Sequence, residues 1–151
     1  MQANDPLTLR HIDTDADYLA CFPVMRELRP HLADESAFIV QARRQGAQGY
    51  RILAAIKHDG DQQTVLGLAG YRRQENLLYG QFLYIDDLVT LADQRSTGVG
   101  AVLIDSLRQQ ARETGCARLV LDTGLANARA QRFYFRNGLL SAGMHFNQDL
   151  R

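Results

Sequence analysis

The sequence predicts an α/β (α+β mixed sheet) fold, a central mixed sheet with helices on both faces. Three observations predict it. Hairpin-linked strand patterns follow two early helices, with Asp59-Gly60 as the strongest turn signal. Further along, strand patterns alternate with helical ones, which calls for crossovers and parallel neighbours. The chain has 151 residues, 46% hydrophobic and 23% charged, with no repeat, low-complexity tract or linker. That is the size and balance of one ordinary domain, 1–151.

Residues 7–12 (Leu-Thr-Leu-Arg-His-Ile) alternate apolar and polar, which suits a first strand. Asp13, Thr14 and Asp15 offer N-cap chemistry for a helix carrying Tyr18, Leu19, Phe22, Met25 and Leu28. Pro23 should kink or split that helix, and Pro30 should end it. Asp34 can cap a second helix through Phe38, Ile39 and Ala42, stopping near Gly46 or Gly49. Tyr50, Ile52, Ala54 and Ile56 alternate with Arg51, Leu53, Ala55 and Lys57 as a second strand. The return strand, Val65 to Tyr71, is apolar on both faces and therefore central. Residues 72–78 are polar enough for a loop, and Tyr79 to Leu91 read as a fourth strand.

Gly98 and Gly100 open the clearest helix, with Val99, Leu103, Leu107 and Ala111 as its apolar stripe and Gly115 as its stop. Leu119 to Asp122 read as a short buried strand, with Cys116 facing the core beside it. Asn127 can cap a last helix that runs to Asn137, and Gly138 ends it. Residues 139–151 leave room for one good strand or two very short ones.

Composition excludes several classes of function. Lys plus Arg total 17 and Asp plus Glu total 17, so the formal charge is zero. A broad grip on nucleic acid or on an anionic membrane needs a surplus of cations, so neither is expected as a partner. No apolar run approaches the roughly 18 residues of a membrane span. Met1-Gln2-Ala3-Asn4-Asp5 lacks the basic-then-apolar pattern of a secretory signal, and two cysteines give no disulfide framework. The expected location is cytoplasmic. His11, His31, His58 and His145 are scattered and Cys21 and Cys116 lack CxxC partners, so no metal is expected. Ser96 and Ser106 lack a nucleophile-elbow motif.

The most informative segment is Arg95-Ser96-Thr97-Gly98-Val99-Gly100-Ala101, which follows a strand and opens a helix. The first N–H groups of a helix lack internal partners, and its dipole favours an anion there. Glycines let the backbone approach phosphate oxygens, and Arg95 adds a permanent cation. Tight packing alone can also explain a G-x-G turn. The Walker loop is absent, and Leu103 stands where a dinucleotide fingerprint needs its third Gly.

Arg95, Gly98 and Gly100 also fill the Q/R-x-x-G-x-G/A motif. With them, the sequence resembles the GNAT superfamily of acetyl-CoA-dependent N-acetyltransferases. Upstream, Leu83 to Thr90 resembles that family's fourth strand. Downstream, Asn127, Ala130, Phe133, Tyr134, Asn137 and Gly138 resemble its N-x-x-A-x-x-F-Y and N-G motif. The match is specific from about residue 80 to 140 and general in element order from 7 to 79. Ala92 stands where the family often has Pro.

The resemblance implies a GNAT-like acyl-CoA N-acyltransferase fold and acetyl transfer from acetyl-CoA, as co-substrate, to an amine of a small molecule or peptide. It implies that backbone N–H groups of Arg95, Ser96, Thr97, Gly98, Val99, Gly100 and Ala101 hold the pyrophosphate. Leu88, Val89 and Thr90 would run along the pantetheine arm, and Asn127 would touch it besides capping its helix. Asp86 or Asp87 would be the base that deprotonates the amine, with Asp86 favoured because adjacent strand residues face opposite ways. A bulge could reverse that choice. Either acid could instead pair with an arginine such as Arg72 or Arg73. Tyr134 would sit near the CoA sulfur and protonate the departing thiolate; the alternative is a core tyrosine beside Phe133 and Phe135. The family usually ends in two strands, so a short C-terminus leaves a sheet edge for a second subunit, hence the expectation of a homodimer. Arg43-Arg44 and Arg72-Arg73 read as solvated pairs, or as the border of an anion site. The competing function is a non-catalytic acyl-CoA sensor of the same fold, which would need neither Tyr134 nor the acid pair.

Overall fold

The computed structural model describes residues 7–151. The reading of residues 1–5 lies outside them. The chain forms two compact units, Met1–Val120 and Leu121–Arg151.

The first unit opens with β1 (Leu7–His11), α1 (Asp15–Leu28) and α2 (Glu35–Gly46). Thr14 and Asp34 are their N-caps: Thr14 and Asp17 exchange a reciprocal capping box, and Asp34 accepts from the Ala37 N–H at 2.8 Å. Pro23 does not split α1, which is continuous through it. Pro23 lies on the exposed side, and Leu19, whose carbonyl loses its i+4 donor, is exposed too. Water can satisfy the oxygen that proline leaves without a partner.

A meander follows: β2 (Arg51–Asp59), β3 (Gln62–Asn76) and β4 (Gly80–Thr90). The Asp59-Gly60 turn closes the first hairpin, with Gly60 at φ 59°. Residues 72–76 continue β3 rather than forming a loop. They pair with Tyr84 to Gly80, the stretch of β4 that carries the buried Phe82 and Leu83. Residues 73–76 are themselves exposed, so no apolar periodicity announces this end of β3. The chain then makes one 3-10 turn (Ala92–Gln94), forms α3 (Val99–Glu113), and enters β5 (Arg118–Leu121).

The sheet order is β1-β2-β3-β4-β5, with β3 central as expected. The first three neighbouring pairs are antiparallel, and β5 returns beside β4 through α3 to make the sheet mixed. None of the β5 residues is fully buried, against the expectation of a buried strand, because β5 is an edge. Cys116 is likewise only partly buried, with Sγ 3.6 Å from Thr114 Oγ1.

Helices cover both faces. On one, Ile52, Ala54, Ile56, Leu68 and Val89 pack with Phe22 and Met25 of α1 and Phe38 and Ala42 of α2. On the other, α3 buries Leu103, Ile104 and Leu107 completely, each contributing about 2 kcal/mol of apolar transfer. Gly67 lets α3 lie close: a Cβ there would stand 2.9 Å from Val99 Cγ1 and 3.1 Å from the Val89 carbonyl.

The second unit contains α4 (Ala128–Arg136). Asn127 Oδ1 accepts from the Ala130 N–H at 3.2 Å, and Gly138 follows at φ 81°. Residues 139–151 form no strand, which corrects the expectation of one or two. Leu140, Met144, Phe146 and Leu150 are exposed along this segment.

Candidate active site

β4 organises the site. At its middle the β3–β4 register shifts: Gly70 faces Asp87, whereas Tyr71 faces Ile85. Asp86 is therefore an extra residue in β4, a bulge. A regular strand would send neighbouring side chains to opposite faces. With the bulge, both Asp86 and Asp87 line one cavity of about 420 Å³, together with Arg29, Phe38, Tyr50 and Tyr84.

Both acids are paired with arginine. Arg72 Nε donates to Asp86 Oδ2 at 3.0 Å, and its Nη2 lies 3.0 Å from Oδ1, a bidentate pair. Arg73, the other arginine considered, instead contacts Gln81. Asp87 Oδ1 accepts from Arg29 Nε at 2.8 Å, with Arg29 Nη2 also 2.8 Å away. Asp87 Oδ2 accepts from the Tyr50 hydroxyl at 2.7 Å. Arg29 Nη2 also donates to the Asp86 carbonyl at 3.0 Å. Arg72 stacks over the Tyr50 ring, 5.5 Å from its centroid.

Gly70 makes the Tyr50–Asp87 contact possible. A Cβ there would fall on the Tyr50 hydroxyl, 2.7 Å from its Cζ and 2.8 Å from Asp87 Oδ2. Burial, with the Asp87 carboxylate beside it, drives the Tyr50 pKa far up, so this phenol stays a donor. Burial also raises the Asp86 pKa against the opposing pull of Arg72. A raised carboxylate is a better proton acceptor near neutrality. The sequence reading missed Arg29 and Tyr50. A glycine inside an apolar strand was the available signal, since it marks close approach of another group.

At the end of β4 the chain reaches the Gly-rich turn. Ser96 has φ 67° and Gly98 φ 93°. Gly98 is the N-cap of α3 and offers no capping side chain. The N–H groups of Val99, Gly100 and Ala101 thus begin the helix without a side-chain acceptor, while Val102 N bonds Gly98 O at 3.0 Å. Thr97 turns its hydroxyl onto the Gln94 carbonyl at 2.6 Å, leaving the helix mouth clear. Arg95 to Gly98 are exposed. These features fit a diphosphate: open amides, positive dipole and an adjacent guanidinium.

Leu88, Val89 and Thr90 pair with Ala69, Leu68 and Gly67 on one side only. β5 joins β4 at its other end, where Ala117 N donates to Gln81 O at 2.8 Å. Its few residues, at roughly 3.3 Å each, cannot run back along β4 to Leu88. Within the first unit, the second edge of Leu88–Thr90 has no partner strand.

In the second unit, Asn127 caps α4 as described. The Tyr134 and Phe133 rings meet edge-on at 5.5 Å, while Phe135 is 54% exposed, so the three aromatics do not share a face. Burial raises the Tyr134 pKa, which keeps its phenol protonated. Among the described residues no group of three or more His, Cys, Asp or Glu could hold a metal ion, and no helix is long and apolar enough to cross a membrane.

The model of the acetyltransferase (GNAT) family matches residues 13–139, most of the chain. The chain belongs to this family. It is similar to an uncharacterized N-acetyltransferase, YhdJ, of Bacillus subtilis (strain 168), 28% identical over 126 residues that cover 83% of this chain and 86% of that one. It is also 32% identical over 103 residues to a streptothricin acetyltransferase of Streptomyces lavendulae, covering 66% of this chain and 51% of that protein. Among solved structures, the aminoglycoside N-acetyltransferase AAC(6')-Iy in complex with CoA superposes with a TM-score of 0.85 at 15% identity, covering 100% of this chain and 99% of that one. A Trypanosoma brucei acetyltransferase superposes at 0.78 with 20% identity, covering 96% and 100%. These likenesses agree with the family match on a GNAT fold.

Proposed function

We propose that this protein is an N-acetyltransferase that moves an acetyl group from acetyl-CoA to a primary amine of a small molecule or peptide. The observation that carries this is the layout of β4. One strand lines an acid-bearing cavity with Asp86 and Asp87, then exposes a free backbone edge at Leu88–Thr90, then leads into the uncapped start of α3.

The thioester supplies an acyl carbon that is open to attack by a neutral amine. The chain's own groups would do the rest. Amides from Arg95 to Ala101 hold the diphosphate, and the edge at Leu88–Thr90 aligns the arm, where a backbone N–H faces the carbonyl oxygen as charge builds on it. Asn127 is assigned a further contact to the arm through its free Nδ2. The amine nitrogen bonds the acyl carbon as the C–S bond breaks. Asp86, directly or through a water, takes the proton the amine loses, and Tyr134 gives the proton the thiolate takes up. Asp87 holds Arg29 through Oδ1 and Tyr50 through Oδ2, so its role in this reading is to fix those two groups beside Asp86.

We read residues 1–151 as one catalytic domain, working in a reducing cytoplasm where Cys21 and Cys116 remain thiols. We propose that the protein is a homodimer, because Leu140, Ala142, Met144 and Phe146 alternate with Ser141, Gly143 and His145 and pair with no strand. Light scattering should return twice the chain mass, and Met144→Ser with Phe146→Ser should return it to one.

A thermal shift with acetyl-CoA, followed by thiol release across an amine panel, tests the main reading. Stabilisation without release from any amine would instead favour the acyl-CoA sensor.

A further inference from the structure

The cavity beside β4 carries charges that cancel. Asp86 is matched by Arg72 and Asp87 by Arg29. The other lining groups include Gln41, Gln45 and the exposed His31, with no further acid. An acceptor with several ammonium groups would therefore shed hydration there without gaining an unmatched carboxylate.

Arg29 is placed differently from Arg72. Arg72 is 15% exposed, whereas Arg29 is 42% exposed on the cavity wall. Its contacts with Asp87 and with the Asp86 carbonyl use Nε and Nη2. Nη1, with two N–H donors, has no partner among the described residues. The main chain that carries it is fixed, since the Arg29 backbone N–H closes α1 on the Met25 carbonyl at 2.9 Å. A planar donor fork fixed on one edge and open on the other is suited to an oxyanion. Asp86, beside it, accepts one N–H per oxygen and keeps lone pairs for an ammonium.

We propose that the acceptor is a small amine that also carries an oxyanion, a carboxylate or a phosphate, with Arg29 Nη1 binding the oxyanion and Asp86 facing the amine. This rests on the acetyl-transfer reading above and narrows its substrate class. The Arg29 guanidinium touches the Asp86 main chain, so the two groups of the acceptor are a short spacer apart. Such a molecule enters with little net charge, and each end meets its opposite.

The test is thiol release by the full chain from acetyl-CoA with matched pairs: an α-amino acid against its methyl ester, glucosamine 6-phosphate against glucosamine, and spermidine as the polycation. The expected result is a kcat/KM at least tenfold higher for the anionic member of one pair, and which pair shows it separates carboxylate from phosphate. Arg29→Gln should bring that ratio to about one through KM, and Arg29→Lys should restore part of it. General damage lowers both members and leaves the ratio, so a ratio that survives Arg29→Gln overturns the assignment of Arg29. Spermidine, the ester or glucosamine turning over as well as the anionic members overturns the substrate class and leaves acetyl transfer standing. Thiol release from no amine at all overturns both.

Discussion

The Tyr50 hydroxyl reaches Asp87 Oδ2 at 2.7 Å directly over the Cα of Gly70, in a space a single methyl group would fill. Three segments meet in that contact: Tyr50 comes from the residue just before β2, Gly70 from β3 and Asp87 from β4. The contact fixes Asp87, which in turn holds Arg29 at the cavity wall.

Gly70→Ala should break it. The methyl group must displace a buried tyrosine or its carboxylate partner, for an expected loss of about 1–3 kcal/mol. The KM for the amine should rise while that for acetyl-CoA changes little, because the donor turn is remote from this face. Chemical denaturation and paired KM measurements check both parts, and an unchanged melt would show that the phenol moves aside freely.

The pH profile should report on Asp86. Its pKa is raised by burial and held back by Arg72. Activity that needs the carboxylate ionised falls on the acid side, with a midpoint above the ordinary value of about 3.9. Arg72→Gln removes the opposing cation, so the midpoint should move to higher pH. Asp86→Asn should abolish the acid limb and lower kcat by roughly 10²–10⁴-fold, the range for a lost general base. An acid limb that persists in Asp86→Asn assigns the proton to another group.

Tyr134→Phe should lower turnover by roughly 10²–10⁴-fold while acetyl-CoA still stabilises the protein against heat. The phenol's raised pKa keeps it in the donating form through neutral pH, so wild-type activity should show no tyrosine titration below pH 9. Turnover within twofold of wild type would remove Tyr134 from the chemistry.

Gly98→Ala probes the donor turn. A Cβ at Gly98 meets nothing within 4 Å, so the effect is conformational. Holding alanine at φ 93° costs about 1–2 kcal/mol, and relaxing that angle re-aims the first amides of α3. The KM for acetyl-CoA should rise at least tenfold, and isothermal titration with CoA should show the same loss.

The helices were largely legible in the sequence, because their ends carry side-chain chemistry. Thr14, Asp34 and Asn127 each cap where the pattern places them, and Gly98, Gly115 and Gly138 mark turns with positive φ. Strand extent was less legible. The stretch from Arg72 to Asn76 has no apolar pattern to mark it as strand, and the alternation in 139–151 specifies a face without specifying a partner. Pro23 misled because a helix tolerates proline where water can take over the lost bond. Asp86 and Asp87 could be singled out as acids from sequence, but their shared cavity could not, since a bulge is a property of register between two strands. Arg29 and Tyr50 lie 58 and 37 residues from Asp87, and only folding brings them to it.

The extra residue at Asp86 also sets the phase of everything after it on β4. Beyond it, Asp87 and Val89 look toward α1 and α2, and Leu88 and Thr90 toward α3. Pairing Asp86 opposite Gly70 in an unbroken ladder, with no residue removed, would exchange those two sets, turning Val89 out of the core and Asp87 away from Tyr50. The acceptor half and the donor half of the strand are therefore geared together: neither can be re-registered by evolution or by design without inverting the other.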